Sequence, residues 1–269
     1  MTAAVEPVAP RHAATVLLLR DSPDQSPEVY FMRRPARSSF AASAYVFPGG
    51  AVDDADLRAD VLSLAPDFDP AVAARRMQLD GDVALCAGLH VGAVREVFEE
   101  TGIVVGTRAD GSALTAADAD NLAAARARLL DGATFADVLR AYDLRIAPQR
   151  LVYVAHFVTP AAEPRRYDTR FFVVEAPLEQ EAAHHAAEAT HGGWYTAAEA
   201  LEMSGDDLRV MMPPTRIMCA EVSVHDSVAA VIADLGSRSV DRILFDIDDL
   251  FSGRLPSRLP ATWPPTQQR

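Results

Sequence analysis

The stretch that most restricts what this chain can fold into is Arg95–Ile103, Arg-Glu-Val-Phe-Glu-Glu-Thr-Gly-Ile, taken with Phe47-Pro48-Gly49-Gly50 upstream. At about 100° per residue, with Glu96 at zero, Glu100 falls at about 40° and Glu99 at about −60°, while Val91, Val94 and Phe98 gather between about 160° and 220°. The spacing predicts a helix over 82–101 whose last turns carry carboxylates on one side and core residues on the other. Gly102 is placed to stop it in a left-handed conformation, and Ile103-Val104-Val105 then starts a β-like run. Like charges within one helical turn repel and raise one another's pKa values unless a cation neutralises them. Oxygen donors of this kind favour Mg²⁺ or Mn²⁺, which bind through a few carboxylates together with substrate phosphates.

Gly50 followed by Arg95-Glu96-Val97-Phe98-Glu99-Glu100-Thr101-Gly102-Ile103 resembles the signature of the Nudix hydrolases, a glycine, a glutamate and then R-E-U-x-E-E-x-G-U, with U bulky and apolar. The second half agrees at every specified position. In the first half Asp56 stands where the family usually has Glu, and the distance from there to Arg95 is far longer than in the compact signature, so the intervening segment must loop out while Gly49–Gly50 still reaches the helix. The resemblance implies an α/β/α sandwich with a mixed β-sheet and additional helical insertions. It also implies two to three Mg²⁺ or Mn²⁺ ions held by Glu96, Glu99 and Glu100, with the Gly49 carbonyl as a further ligand. Arg95 cannot act as a base and is expected to orient a neighbouring glutamate. The proton acceptor is open between Glu96 and Glu188, the latter at the start of Glu-Ala-Thr-His-Gly-Gly-Trp.

Outside the signature, His12–Arg20, Val29–Arg33, Leu151–Thr159 and Arg170–Glu175 read as strands. Two short helical pieces, about Leu57–Leu64 and Pro70–Met77, fill an insertion at about 53–80. A second insertion at about 106–145 holds helical patterns at Asn121–Leu130 and Phe135–Tyr142, and either forms a lid over the substrate or covers an edge of the sheet. Thr196 with Glu199 has the spacing of a capping box, and helices are expected at about 213–222 and 228–235. Residues 12–254 read as one domain, between a loose tail at 1–11 and a Pro-rich tail at 255–269.

Two groups of side chains could meet a polyanionic ligand. Arg33, Arg34 and Arg37 precede Phe-Pro-Gly-Gly; a solvated loop explains Arg37 alone, but as a group they resemble the segment that coenzyme A-type Nudix hydrolases place there. Arg166 and Arg170 lie in Pro-Arg-Arg-Tyr-Asp-Thr-Arg-Phe-Phe, similar to the peroxisomal coenzyme A diphosphatase branch, whereas a charged hairpin tip accounts for Arg165. His90 falls near the buried helix face as a satisfied core residue, and His184, His185 and His191 form no metal-ligand pattern.

The formal net charge of −13 argues against a general nucleic-acid or anionic-membrane binder, and no apolar run or leader suggests membrane insertion or export. Cys86 and Cys219 are far apart, which suits a reducing, cytoplasmic setting, and a homodimer is compatible with the sequence. The expected activity is metal-dependent hydrolysis of coenzyme A or acyl-coenzyme A to 3′,5′-ADP and (acyl-)phosphopantetheine. ADP-ribose or a dinucleotide of the NADH type is the second substrate class. A catalytically silent nucleotide sensor is disfavoured because the signature glutamates are all present.

Overall fold

The computed structural model describes residues 8–23, 26–38, 41–185, 189–205, 207, 209–244 and 258–259. The chain opens with β1 (Arg11–Asp21) and β2 (Pro27–Arg33), followed by the short strands β3 (Tyr45–Val46) and β4 (Gly49–Ala51). Helices α1 (Ala59–Leu62), α2 (Pro70–Arg76) and α3 (Val83–Thr101) come next. Then follow β5 (Gly106–Arg108), α4 (Ala119–Leu130), α5 (Phe135–Ala141) and β6 (Leu144–Ile146). The remainder is β7 (Val152–Val158), β8 (Tyr167–Glu175), β9 (His191–Thr196), α6 (Ala197–Ser204), α7 (Pro213–Val222), α8 (Val228–Ser237) and β10 (Arg242–Leu244).

Strand β1 is the spine of a mixed sheet ordered β10-β7-β8-β1-β2-β3. It runs parallel to β8 from Arg11 to Leu19, and its other edge is divided. Ala13–Thr15 pair antiparallel with β4, and Leu19–Asp21 with β2, whose far edge takes β9. Alternation along β1 sends Ala14, Val16 and Leu18 into one core and Leu17 and Leu19 into another. The first core is closed by helices α2 to α5, the second by α6, α7 and α8. A mixed sheet between two helical layers is the α/β/α architecture expected from the sequence.

Helix α3 is the longest element beside the sheet. Asp82 caps its start by accepting from the Leu85 amide at 2.9 Å, and Gly102, at φ 77°, ends it by donating to the Phe98 carbonyl. Val91, Val94, Val97 and Phe98 are fully buried, so the apolar stripe read from the spacing is the face laid on the sheet. His90 is buried between the rings of Phe68 and Phe172, with Nδ1 2.8 Å from the Cys86 carbonyl. Burial lowers its pKa to about 4, which makes it a neutral core residue.

Two expectations are corrected, one of the two roles left open for the second insertion is ruled out, and part of the Pro-rich tail is seen to make contacts. Ile103–Val105 are buried but lie outside any strand: the Ile103 amide donates to Thr101 Oγ1, the Gln180 side chain occupies both the amide and the carbonyl of Val104, and the Val105 carbonyl accepts from the Ala147 amide where the β5–β6 pairing begins. The helix expected at about Leu57–Leu64 is interrupted by extended Arg58, leaving a 3-10 turn over Asp54–Leu57 and the single turn of α1. The insertion at 106–145 is not a lid over the cleft described below: Leu122, Ala125, Leu129, Val138 and Leu139 are buried in the same core as α3. Within the stretch expected to be a Pro-rich tail, Leu259 donates to fully buried Glu221 at 2.7 Å and Arg258 donates to the same carboxylate.

Thr196 and Glu199 form the expected capping box at the start of α6. Phe98, at the centre of the α3 face and near the Phe135 ring, should dominate the stability of this layer. Phe98→Ala is expected to lower the unfolding free energy by about 3–5 kcal/mol, measured by urea denaturation.

Candidate active site

The floor of the site is the contact between β4 and the end of α3. The Gly49 amide donates to Glu100 Oε2 at 2.8 Å, while the Pro48 carbonyl accepts from the Val16 amide. Gly49 has φ 151°, and a Cβ built there would lie 2.3 Å from the Ala14 carbonyl oxygen. A Cβ on Gly50 would lie 2.4 Å from Glu96 Oε1. The two glycines therefore serve different ends: the first lets the backbone lie on β1, the second lets a carboxylate approach the turn.

Arg95 ties this floor together. Its side chain is only 8% exposed, and Nε and Nη2 form a two-pronged pair with Asp56 at 2.8 and 2.9 Å. Nη1 reaches Glu96 Oε1 at 2.8 Å and Glu99 Oε2 at 3.3 Å, and Nη2 also donates to the Ala51 carbonyl. Burial would favour loss of the proton, but the hydrogen bond to Asp56 and the charges of Glu96, Asp56 and Glu99 outweigh it, so the pKa is raised and the cation is permanent. Asp56, the residue at the irregular position of the signature, is buried and held in its own capping box with Asp53.

Glu96 and Glu100 thus meet the Gly49–Gly50 turn, and Glu99 lies beside them on Arg95, which partly offsets the charge of the cluster. Among the described residues, no three or more His, Cys, Asp or Glu side chains are gathered around one point as a preformed cage. The donor chemistry nevertheless fits a hard divalent ion, since carboxylate and backbone carbonyl oxygens alone are offered and such ions keep several waters.

A cleft of about 740 Å³ opens beside this floor, within the usual range for small-molecule sites. Gly49, Gly50 and Glu100 of the floor line it, together with Arg34, Arg37 and Arg165, and Phe47, Phe157, Phe171 and Met212 supply apolar surface. Arg34 Nε is buried without a hydrogen-bond partner.

The remaining arginines do not reach the cleft as expected. Arg33 is exposed, donating to the Ser43 carbonyl at 3.3 Å and lying over the Tyr45 ring. Arg166 braces the hairpin through the Thr159 and Val8 carbonyls at 3.1 and 2.8 Å. Arg170 is buried against Asp168 and His12, because Thr169 and Phe171 take the cleft side of β8 and alternation turns Arg170 to the opposite face. Arg165, set aside in the sequence as a hairpin tip, lines the cleft instead, as do Thr15 and the start of α7 at Met212–Thr215. Strand parity relative to Phe171 is the signal that separates Arg170 from the cleft. Glu188 lies outside the described residues.

With this geometry in place, comparison with known proteins is informative. The family model described as NUDT19 Nudix domain matches residues 10–219. The Gallus gallus protein named acyl-coenzyme A diphosphatase NUDT19 is 34% identical over 121 residues, covering 35% of this chain and 32% of its own. The Xenopus laevis protein of the same name is 24% identical over 207 residues, covering 65% of this chain and 54% of its own. The chain spans between about a third and about half of the length of these curated relatives. A solved structure of a NUDIX hydrolase from Alicyclobacillus acidocaldarius has a TM-score of 0.65 at 23% identity, covering 84% of this chain and 96% of that one, and shows the common fold.

The two glycines should separate fold from site. Gly49→Ala forces a Cβ onto backbone and is expected to lower the yield of folded protein. Gly50→Ala meets only the flexible end of Glu96 and should leave the thermal midpoint nearly unchanged while reducing turnover by about tenfold or more, as displaced catalytic groups do. Thermal unfolding and steady-state kinetics on both variants check this.

Proposed function

Since the chain belongs to the NUDT19 Nudix domain family, we propose that it hydrolyses the diphosphate of coenzyme A or acyl-coenzyme A, releasing 3′,5′-ADP and phosphopantetheine or its acyl derivative. The observation that carries this reading is the carboxylate face of α3 pressed against the Gly49–Gly50 turn at the base of the cleft. The names of the curated relatives support the choice of substrate class.

In this reading Glu96, Glu99, Glu100 and the Gly49 carbonyl hold two to three Mg²⁺ or Mn²⁺ ions. Such ions neutralise charge developing at phosphorus and lower the pKa of water. Arg95 keeps Glu96 and Glu99 on one side of the helix by donating to both from one nitrogen, and Asp56 holds Arg95 in turn. Glu96 or Glu188 accepts the proton of the attacking water. Arg34 and Arg37 bind phosphate oxygens beyond the scissile linkage, a task suited to planar, multidentate donors. We assign the protein to the cytoplasm, acting on a small nucleotide with no nucleic-acid or membrane partner. No helix among the described residues is long and apolar enough to cross a membrane.

Chromatographic analysis of products, with Mg²⁺ or Mn²⁺ present, should show 3′,5′-ADP from coenzyme A appearing faster than AMP from ADP-ribose; the reverse order would overturn the substrate assignment. Glu100→Gln should retain the fold, because the side-chain amide oxygen can still accept from Gly49, yet lose turnover by about a hundredfold or more, the scale of removing a key electrostatic group. Near-normal rates in that variant would refute the role given to Glu100.

A further inference from the structure

The last turn of α3 places negative charge where a helix tolerates it least. Unsatisfied carbonyls give a helix C-terminus a partial negative charge, which cations stabilise and anions do not. Glu99 and Glu100 lie in that turn, and it contains no basic residue of its own. The cation comes from another element. Arg126 of α4 donates from Nε to the Glu99 carbonyl and from Nη1 to the Ala183 carbonyl, each at 2.8 Å.

The guanidinium lies over Gly102, where an added Cβ would be 3.3 Å from Nη1. Around it, the Ala183 amide donates to the Thr101 carbonyl at 2.8 Å, and Gln180 closes two hydrogen bonds with the backbone of Val104. One planar fork thus joins the end of the carboxylate helix to the segment 180–183. Its helix neighbours Leu122, Ala125 and Leu129 are buried in the core, so the backbone that carries Arg126 is anchored independently of the guanidinium. The insertion to which α4 belongs contributes no residue to the cleft lining.

We propose that Arg126 is a positioning residue of the diphosphatase site. It sets the place of the last turn of α3, so that Glu100 stays on the Gly49 amide and Glu99 on Arg95, and it fixes the segment 180–183 against that end. The insertion at 106–145 therefore serves the chemistry from behind the helix, as a buttress. The catalytic consequence rests on the hydrolase reading above; the clamp itself does not.

The test is Arg126→Ala with Arg128→Ala, an exposed neighbour on the same helix, as control. For Arg126→Ala, kcat on coenzyme A should fall by about 10- to 100-fold with KM changed less than about twofold, the signature of misplaced catalytic groups. Added guanidinium ion should restore part of the kcat of Arg126→Ala and none in wild type, and Arg126→Lys should stay impaired because one ammonium cannot reproduce the fork. Hydrogen–deuterium exchange should quicken at 99–104 and 180–184 and stay as in wild type over β1 and β8. Wild-type kcat in Arg126→Ala, or a loss that only follows the folded fraction and ignores guanidinium, would overturn the proposal. If wild type cleaves no diphosphate, the hydrolase reading falls, while the exchange pattern still decides for or against the clamp.

Discussion

The buried guanidinium of Arg95 is the interaction on which the rest of the site depends. A charge taken out of water is costly unless its partners satisfy it, and here Asp56, Glu96, Glu99 and the Ala51 carbonyl do so together. Each partner comes from a piece of chain that must be somewhere specific: Asp56 from the 3-10 turn of the first insertion, Ala51 from β4, the glutamates from α3. Arg95 therefore converts a long detour in sequence into a fixed geometry. It explains how Asp56, far upstream, can complete a motif whose compact form has no such interruption. The same group also answers part of the repulsion among the glutamates before any metal arrives, leaving a net negative face at Gly49–Gly50.

Much of the fold was legible because its strongest elements are periodic. The α3 stripe of Val91, Val94 and Phe98 specifies both the helix and its buried face, and Thr196 with Glu199 marks the start of α6 by local hydrogen bonding alone. What escaped the sequence depends on partners remote in the chain. Ile103–Val105 have the composition of a strand, but Gln180, remote in sequence, takes both backbone groups of Val104 at its centre, which a neighbouring strand would need. The break at Arg58 is a single extended residue between the 3-10 turn that Asp53 and Asp56 cap and the one turn of α1, and the helical periodicity of the stretch does not mark it. The docking of Arg258 and Leu259 on Glu221 is invisible in a Pro-rich segment, since it needs a buried carboxylate on α7 to receive them.

The candidate arginines show the same division. Tyr-Asp-Thr-Arg-Phe-Phe states a chemistry, yet a strand offers alternate residues to opposite faces, and only the register of β8 against β1 decides which face looks into the cleft. Arg170 falls on the wrong side and is consumed by Asp168; Arg165, nearer the hairpin tip, does not. Arg33 and Arg34 are adjacent for the same reason on different sides, one over Tyr45 outside and one on the cleft wall.

The cleft wall bears on the substrate class proposed above. A diphosphate held at the glutamate floor would project two arms, and the lining offers two kinds of surface: the arginines Arg34 and Arg37, and the apolar side chains of Phe47, Phe157, Phe171, Met212 and Pro213. The net charge of −13 makes the local arginines the means by which an anion is drawn to this place rather than to the surface at large. A symmetric dinucleotide would set a second charged, polar half against the apolar part and leave that surface poorly matched. Coenzyme A carries phosphate on its adenosine side and a long, weakly polar arm, extended further by an acyl chain, on the other. Burying such an arm against rings contributes about 25 cal/mol per Å² of apolar area removed from water. In the reading proposed above, selection between these classes would come from how the two arms are received, while the floor they share would set the bond to be broken.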